Sequence, residues 1–593
     1  MKAFRRDKGA VLVAVLIMAV IVALFCVTSL LVSQIESQGT NAGILRDKAF
    51  FVASAGLEDE FQELSDLMAK SSLADPFKAF EAMAGQTVIN HRPLASDGVT
   101  VGQYDVVVNS VSVADTCNRD IMLTATGYVP SADDPRALRR TITVVVRVGT
   151  TRSQVFDYVY FINNWGWYYG NTIVANGNVR ANGQFDFGGY SPTVNRLPRF
   201  DGMTGGVVGD PLDAGGVYAG WNIVGNQNVK GSAVGSQYMH PFDGQIPMPN
   251  LTDLTMYENL AKTNNSDIKI AGTVMCNSIV GDEPGELPNL YLEGKDINNP
   301  IVLNGPVVVR GNLIIKGYVK GKGALYVQGN VYIAGNLTYC TPVEATPATA
   351  DKTAVESWVQ RNQSADALGL FAREHIVVGN YTDPKWQSYV SQWVGDYRNR
   401  SGEDAGEDGI QNTRAGRDGI PGTADDDVLE SDGKWTVQYY TAEDGQNGRI
   451  PAGYSVGSVI PGSGEDIDGD GVYDLGTRMS DFSLTVPLDK PHWQGNFPAL
   501  SGTLLYKNIC PENKIYRLDG AFYTNHSFAF LTLASDKDLT VNGCLVSRNE
   551  DIIYGTKHAI FNYDLRLLEG NNPHALILPQ TWKPLQMVMW RSD

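Results

Sequence analysis

The chain has 593 residues, 43% of them hydrophobic and 19% charged, with 62 glycines and 27 tyrosines. That length exceeds what one core can organise, and the balance of apolar and charged residues excludes global disorder. The formal charge of −18 excludes a nucleic-acid partner, because nothing offsets phosphate repulsion. It suits a protein kept soluble outside the cell or one that holds divalent cations. The glycine and tyrosine content favours turn-rich β structure. Cys26 lies in the apolar N-terminal run, and Cys117, Cys276, Cys340, Cys510 and Cys544 are scattered without a C-x-x-C pair, which excludes a zinc ribbon. An exported chain can form one or two bridges from these five, with a thiol left over.

The N-terminus carries Lys2, Arg5, Arg6, Asp7 and Lys8 and then no charge until Glu36. The apolar run is longer than the about 20 residues a bilayer requires and longer than the core of a cleaved secretory signal. It therefore predicts a membrane-embedded helix with the N-terminus cytoplasmic and the bulk outside. Beyond it, Phe50, Leu57, Phe61, Leu64 and Met68 fall on one helical face, so the helix leaves the membrane and lays an apolar stripe on something soluble.

The short basic leader ending in Gly9, the aliphatic helix, and R-x-x-A-F-x-x-A-x-A-G-L-E at Arg46, Ala49, Phe50, Ala53, Ala55, Gly56, Leu57 and Glu58 resemble the N-terminus of PilX-type minor pilins, within the type IV pilin-like proteins. The resemblance covers about a quarter of the chain, residues 1–150. It implies cleavage between Gly9 and Ala10 by prepilin peptidase, methylation of the new terminus, and packing of the helix with other pilin-like subunits. Ala14, Phe50, Leu57, Phe61 and Leu64 would then belong to the polymerisation helix. Two positions depart from the family pattern. Ala10 stands where the first mature residue is usually Phe, and Ala14 stands where the fifth is usually Glu. A subunit without that Glu cannot neutralise its neighbour's N-terminal amine in the usual way, which suits a fibre tip or an initiation complex.

Three alternating, β-branched stretches, from Gly102, Asp120 and Arg139, predict antiparallel strands over the helix stripe. A glycine rhythm follows. Gly177, Gly183 and Gly189, then Gly225 and Gly231, then Gly305, Gly311, Gly317, Gly323, Gly329 and Gly335 are each six apart. Apolar residues recur two and four places after most of the last six. A corner every six residues with constant inward phase predicts a single-stranded parallel β-helix, similar to bactofilin-like and polymer-forming β-helices. The alternative is an antiparallel meander. The rhythm resumes around Ala367 and from Tyr516, and the segment from Asp351 predicts a helix within an insertion.

The fold expected is thus α+β at the N-terminus, a long transmembrane helix with an antiparallel sheet, followed by a mainly β domain. The boundaries are 1–9 leader, 10–35 membrane and polymerisation helix, 36–150 helix extension and sheet, 151–345 first part of the β-helix, 346–500 insertion and 501–593 its C-terminal part. In the insertion, Asp466, Asp468, Asp470, Val472 and Asp474 form D-x-D-x-D-G-x-x-D. Hard oxygen ligands at alternate positions around a glycine turn suit structural Ca²⁺, as in dockerin and thrombospondin type-3 loops, although Thr477 replaces the closing Glu of an EF-hand. Asp408, Asp418 and Asp425–Asp427 form a looser acidic stretch. No G-x-S-x-G, H-E-x-x-H or phosphate loop is present, and no catalytic residue is assigned; His375, His526 and His558 read as polar residues near strand ends. The aromatic run Trp165, Trp167, Tyr168 and Tyr169 reads as a seal between domains, with a sugar platform as the second reading.

The expectation is a minor pilin or pseudopilin-like subunit, not an enzyme. It would join or prime a type IV pilus-like or type II secretion-like fibre, at the inner membrane before assembly and at the cell surface afterwards, and display a β-helix for adhesion, subunit contact or a glycan ligand. The alternatives are a static envelope protein on an uncleaved signal anchor and a calcium-dependent β-helix polysaccharide lyase.

Overall fold

The structure is a computed structural model. It describes residues 7–592 except 71–72, 74–75, 97–98, 116, 164–165, 201–210, 221, 245, 348–350, 394–478, 499–503, 512–513, 532–537, 549–551 and 569–575. The chain forms two compact units, residues 1–151 with 582–593, and residues 152–581.

The first unit is built on α1 (Asp7–Lys70), one helix of 64 residues. Its first part is exposed from Val15 to Ser37 and predominantly apolar as far as Val32, long and apolar enough to cross a membrane. From Ala49 onward one face is buried through Val52, Ala53, Leu57, Leu64 and Met68, with Phe50 and Phe61 half-buried beside them. The strands β1 (Thr87–Ser96), β2 (Val99–Asp115), β3 (Asn118–Val129) and β4 (Leu138–Arg152) follow as an antiparallel meander. Alternate residues Ile121, Leu123 and Ala125 of β3 and Ile142, Val144, Val146 and Val148 of β4 face the helix, as period-two strands with one wet face require.

The small residues of the A-F-x-x-A-x-A-G-L-E segment have a packing role. A side chain on Gly127 of β3 would start 2.2 Å from the Ala49 carbonyl, and one on Gly56 would start 2.7 Å from the Tyr104 ring. Helix and sheet therefore approach backbone to backbone at this point, which only Ala and Gly permit.

The sheet extends beyond the three strands expected. The edge strand β1 contains Pro93 and bulges at His91, where φ is +49°; proline and bulges are tolerated at an edge but break the alternation by which strands are read. At the other edge, Gln586–Ser592 pairs antiparallel with β4. Residues 582–593 thus belong to the first unit, a correction to their expected place in the C-terminal coil.

In the second unit most strands pair in parallel with constant register. Ile301 pairs with Val319, Val307 with Leu325 and Leu313 with Val331, a step of 18 residues. Three six-residue segments therefore make one circuit, and successive circuits stack as rungs. The rungs continue through Ala367–Ala372, Arg517–Thr524 and Leu539–Ser547. Here the order departs from the chain: Leu545 stacks on Tyr160, and Ala559–Asn562 stack on Ile173–Asn176. The early segment therefore lies beyond the late rungs rather than beside residues 301–339. Beyond Ile301–Asn304, the hairpin Asp267–Ile270/Thr273–Asn277 pairs antiparallel and covers that edge.

Each side of the stack is finished differently. One side is covered by the segment around helix Thr255–Thr263, where Tyr257 stacks on Tyr326 at 3.8 Å and the Tyr523 hydroxyl donates to the Pro249 carbonyl. A second is covered by the described part of the insertion, through Trp386, Phe482 and Trp493, and by Tyr506 just beyond it, over Tyr291, Ile314, Tyr332 and Val377. The third carries a ladder of amides. Asn195 donates to Asn176, Asn176 to Asn562, Asn562 to Asn542 and Asn542 to the Asp519 carboxylate, at 2.6–2.9 Å.

The periodic glycines are not all turn formers. Gly305 and Gly317 have φ of +78° and +99°. At Gly311, Gly323 and Gly329 the constraint is the next rung: an added Cβ would lie 2.5–2.6 Å from the Asn289 Oδ1, the Gly305 carbonyl and the Asn312 Oδ1. Within the insertion, Lys352–Asn362 is a helix whose N-cap Asp351 accepts from Ala354 N–H, and Ala367–Ala372 beyond it is a strand. Tyr168 is buried inside the second unit, 5.0 Å from the Tyr160 ring and among Phe185 and Phe187. It is a core residue of the stack, not the domain seal that was expected. Cys276 and Cys544 are buried thiols, which burial pushes up to about 12 in the case of Cys276.

Candidate functional site

The helix residues fall into two groups. Gly9, Ala10 and Ala14 lie in the backbone of α1, before the membrane-length part that begins at Val15. Phe50, Leu57, Phe61 and Leu64 pack against the chain's own sheet, so they are the foot of the first unit rather than surface left for neighbouring subunits. Asp466, Asp468, Asp470, Val472 and Asp474 lie outside the described residues, as do Asp408, Asp418 and Asp425–Asp427.

Under the sheet, α1 buries a carboxylate that periodicity did not mark. Glu60 is fully buried, and neither carboxylate oxygen has a hydrogen-bond partner. Burial, with the nearby Glu63 charge adding to it and Arg92 opposing it, raises Glu60 to about 7. Arg92 on β1 is engaged by Asp59 at 3.0 Å and Glu63 at 2.9 Å, and the Tyr104 hydroxyl donates to Asp59. A carboxyl raised in the folded state contributes its stability below its unfolded pKa and loses it as pH rises through the folded one. Stability of this unit is therefore expected to fall between about pH 4.5 and about 7. Glu60→Gln is expected to raise stability at pH 8 by about 1–3 kcal/mol and to change little at pH 4. Urea unfolding of the full chain in detergent, followed by circular dichroism at the two pH values, checks this.

The second unit holds a cleft of about 520 Å³ at one corner of the stack, floored by Asn312, Asn330, Glu374, His375 and His526 and walled by the segment Ser480–Thr485. Its floor is a repeating device. Asn312 N–H donates to the Asn289 side chain, Asn330 N–H to Asn312, and His375 N–H to Asn330, at 2.8–2.9 Å. On the next rung Ser527 N–H donates to His375 Nδ1 at 3.2 Å. His375 thus takes the place of an asparagine, its Nδ1 standing in for the amide oxygen.

That bond fixes the ring. With Nδ1 an acceptor, the proton of the neutral imidazole resides on Nε2, which is then a donor. Burial and the neighbouring His526 ring, centroid 4.9 Å away, hold His375 well below the usual histidine range. Burial, with Arg548 and Arg373 nearby, holds His526 down at about 4. Both rings are therefore neutral at physiological pH. His526 Nε2 lies 3.8 Å from the Glu374 carboxylate, and Arg373 lies 3.6 Å from the same group. The wall is tied to the floor by Asn330, whose amide donates to the Asp481 carbonyl at 2.9 Å, and by the Phe482 ring against His375 at 5.1 Å.

Neither histidine was singled out from the sequence as a site. The one available signal was the appearance of His375 at the corner phase otherwise held by Asn, visible only once the register is known.

No family model matches the chain and no curated protein matches it. Among solved structures it is similar to the competence-associated pilin ComZ from Thermus thermophilus, at 11% identity and a TM-score of 0.26, with 92% of this chain and 97% of that one covered.

Proposed function

We propose that this chain is a minor pilin or pseudopilin-like subunit that joins or primes a type IV pilus-like or type II secretion-like fibre and displays its second unit outward. The observation that carries the reading is the division of labour along α1. Its later part is consumed by the chain's own antiparallel sheet, while its earlier part, from Val15 to Val32, is an uncovered and predominantly apolar surface. Such a surface requires lipid, and later the matching helices of sister subunits, because leaving it in water costs about 25 cal/mol per Å². The basic leader ending at Gly9 and the small-residue segment Ala49–Gly56 support the same reading.

On this reading prepilin peptidase cuts between Gly9 and Ala10. Ala14, lacking a carboxylate, suits a position with no subunit below that needs its amine neutralised. The 18-residue parallel stack is read as a β-helix, the Asp466–Asp474 loop as a structural Ca²⁺ clip in the insertion, and the second unit as a binding rather than a catalytic domain. Mass spectrometry of the chain from cells with active prepilin peptidase is expected to find Ala10 as the first residue. An intact leader would instead favour a static envelope protein on its anchor.

A further inference from the structure

The first unit is finished by residues that follow the second unit in sequence. Its helix and most of its sheet come from residues 1–151, but one edge of the sheet is supplied by residues 582–593, after all of residues 152–581. Gln586–Ser592 pairs along β4 from Arg147 to Ile142. Lys583 N–H donates to the Gly149 carbonyl at 2.7 Å, and its ammonium donates to the Asn118 side chain at 3.2 Å. Two indoles fasten the segment to apolar groups. Trp582 lies edge-on to the buried rings of Phe77 and Phe80, centroids 6.0 and 5.7 Å away, and Trp590 lies edge-on to Phe50 at 6.3 Å.

The two edges of this sheet are protected in different ways. At β1 the edge is blunted by Pro93, by the charge of Arg92 and by three breaks in register, devices that discourage further pairing. Left bare, β4 would have none of these between Thr141 and Val146. That run reads Thr-Ile-Thr-Val-Val-Val, and its pairing with β3 is unbroken, which is the kind of edge that recruits strands from other chains. The segment that covers it is shallowly seated: Met587, Val588, Met589 and Trp590 are 43–54% exposed. Main-chain pairing and two ring contacts hold it, with little burial of its own.

We infer that residues 582–593 form a closing strap that docks reversibly on β4, and that the first unit stays open along that edge until the strap arrives. A chain interrupted anywhere in residues 152–581 then cannot present a finished first unit, so the strap acts as a check that the second unit has been made in full. Strap closure and leader processing are read independently, and either can fail alone.

Trypsin digestion of the full-length chain in detergent is the test, since Arg139, Arg140 and Arg147 lie on β4 and cleavage reports local opening. The full-length chain is expected to resist cleavage there, and a chain ending at Thr581 to be cut at least tenfold faster. A synthetic peptide of residues 582–593, added to that shortened chain, is expected to restore resistance saturably. The same peptide with Trp582→Ala and Trp590→Ala is expected to need at least tenfold higher concentration. In the full-length chain, Met589→Pro disturbs the pairing opposite Val145 and keeps both indoles; it is expected to speed cleavage at least threefold. Arg180 and Arg566, each 1% exposed in the second unit, are expected to stay protected throughout. Equal resistance without the strap, no protection by the added peptide, unchanged cleavage of Met589→Pro, or cleavage at Arg180 and Arg566 rising in step with β4 each overturns the inference.

Discussion

Arg566→Met is expected to destabilise the second unit by about 3–5 kcal/mol, a large part of the stability of a typical domain. The guanidinium is 1% exposed and makes a fork with Asp564, Nε to Oδ1 at 3.0 Å and Nη2 to Oδ2 at 2.7 Å. Its remaining N–H groups donate to the carbonyls of Asn362, Ala365 and Asp366 at 2.8–3.2 Å. These carbonyls lie where the chain turns from helix Lys352–Asn362 into strand Ala367–Ala372, so one side chain fastens the insertion's helix to the late rungs. Methionine fills comparable space but removes the guanidinium from a buried carboxylate and from the Ala365 and Asp366 carbonyls, while the Asn362 carbonyl keeps the Ala365 N–H at 3.0 Å. Asp564→Asn in the same chain removes the orphaned charge and is expected to recover part of the loss, which separates the charge penalty from the carbonyl penalty. Arg566→Lys is expected to fall between, because an ammonium cannot reproduce the planar fork. Thermal unfolding of the full chain in detergent reads all four.

Gly317→Val is expected to prevent stable stacking of the rungs around it, with a loss above about 4 kcal/mol. At Gly317 φ is +99°, a conformation costly for a β-branched residue, and a Cβ would lie 1.9 Å from the Gly294 carbonyl oxygen. The obstacle is backbone on the adjacent rung, which cannot swing aside as a side chain does. Gly335→Ala is the control from the same six-residue rhythm. Its Cβ would lie 3.2 Å from the Lys316 Cβ, and its φ is not positive, so a loss below about 1 kcal/mol is expected. Proteolytic susceptibility of the two variants, compared with the parent, distinguishes them.

That contrast shows what a sequence can and cannot disclose. Period six placed the corners, but that three of them close a circuit, and hence that Leu313 pairs with Val331, is seen only in the strand pairing. It did not separate Gly317, held by φ and by a neighbouring carbonyl, from Gly335, held by neither, because both properties depend on the rung above. The stripe Leu57–Leu64–Met68 was legible since helical spacing is local. The edge strand around Pro93 was not, since its pairing survives irregularity that erases alternation. The cleft was least legible: Asn312, Asn330, His375, Asp481 and His526 meet through rung stacking, at separations that no motif encodes. Glu60 escaped notice because a carboxylate at a buried helical position violates the polarity rule by which helix faces are assigned.

The stacking order described for the second unit has a consequence for biogenesis. Thr172 is bonded to Lys557, 385 positions later, and Tyr160 lies against Leu545. A polypeptide threaded outward from its N-terminus would present its earliest rungs long before their mates emerged. Those early segments pair with one another, Tyr160 with Val179 and Thr193 with Val174, but on the proposed reading their other edge would stay open until the late rungs emerged. On the proposed reading of an exported chain, closure of the second unit would be tied to completion of transit.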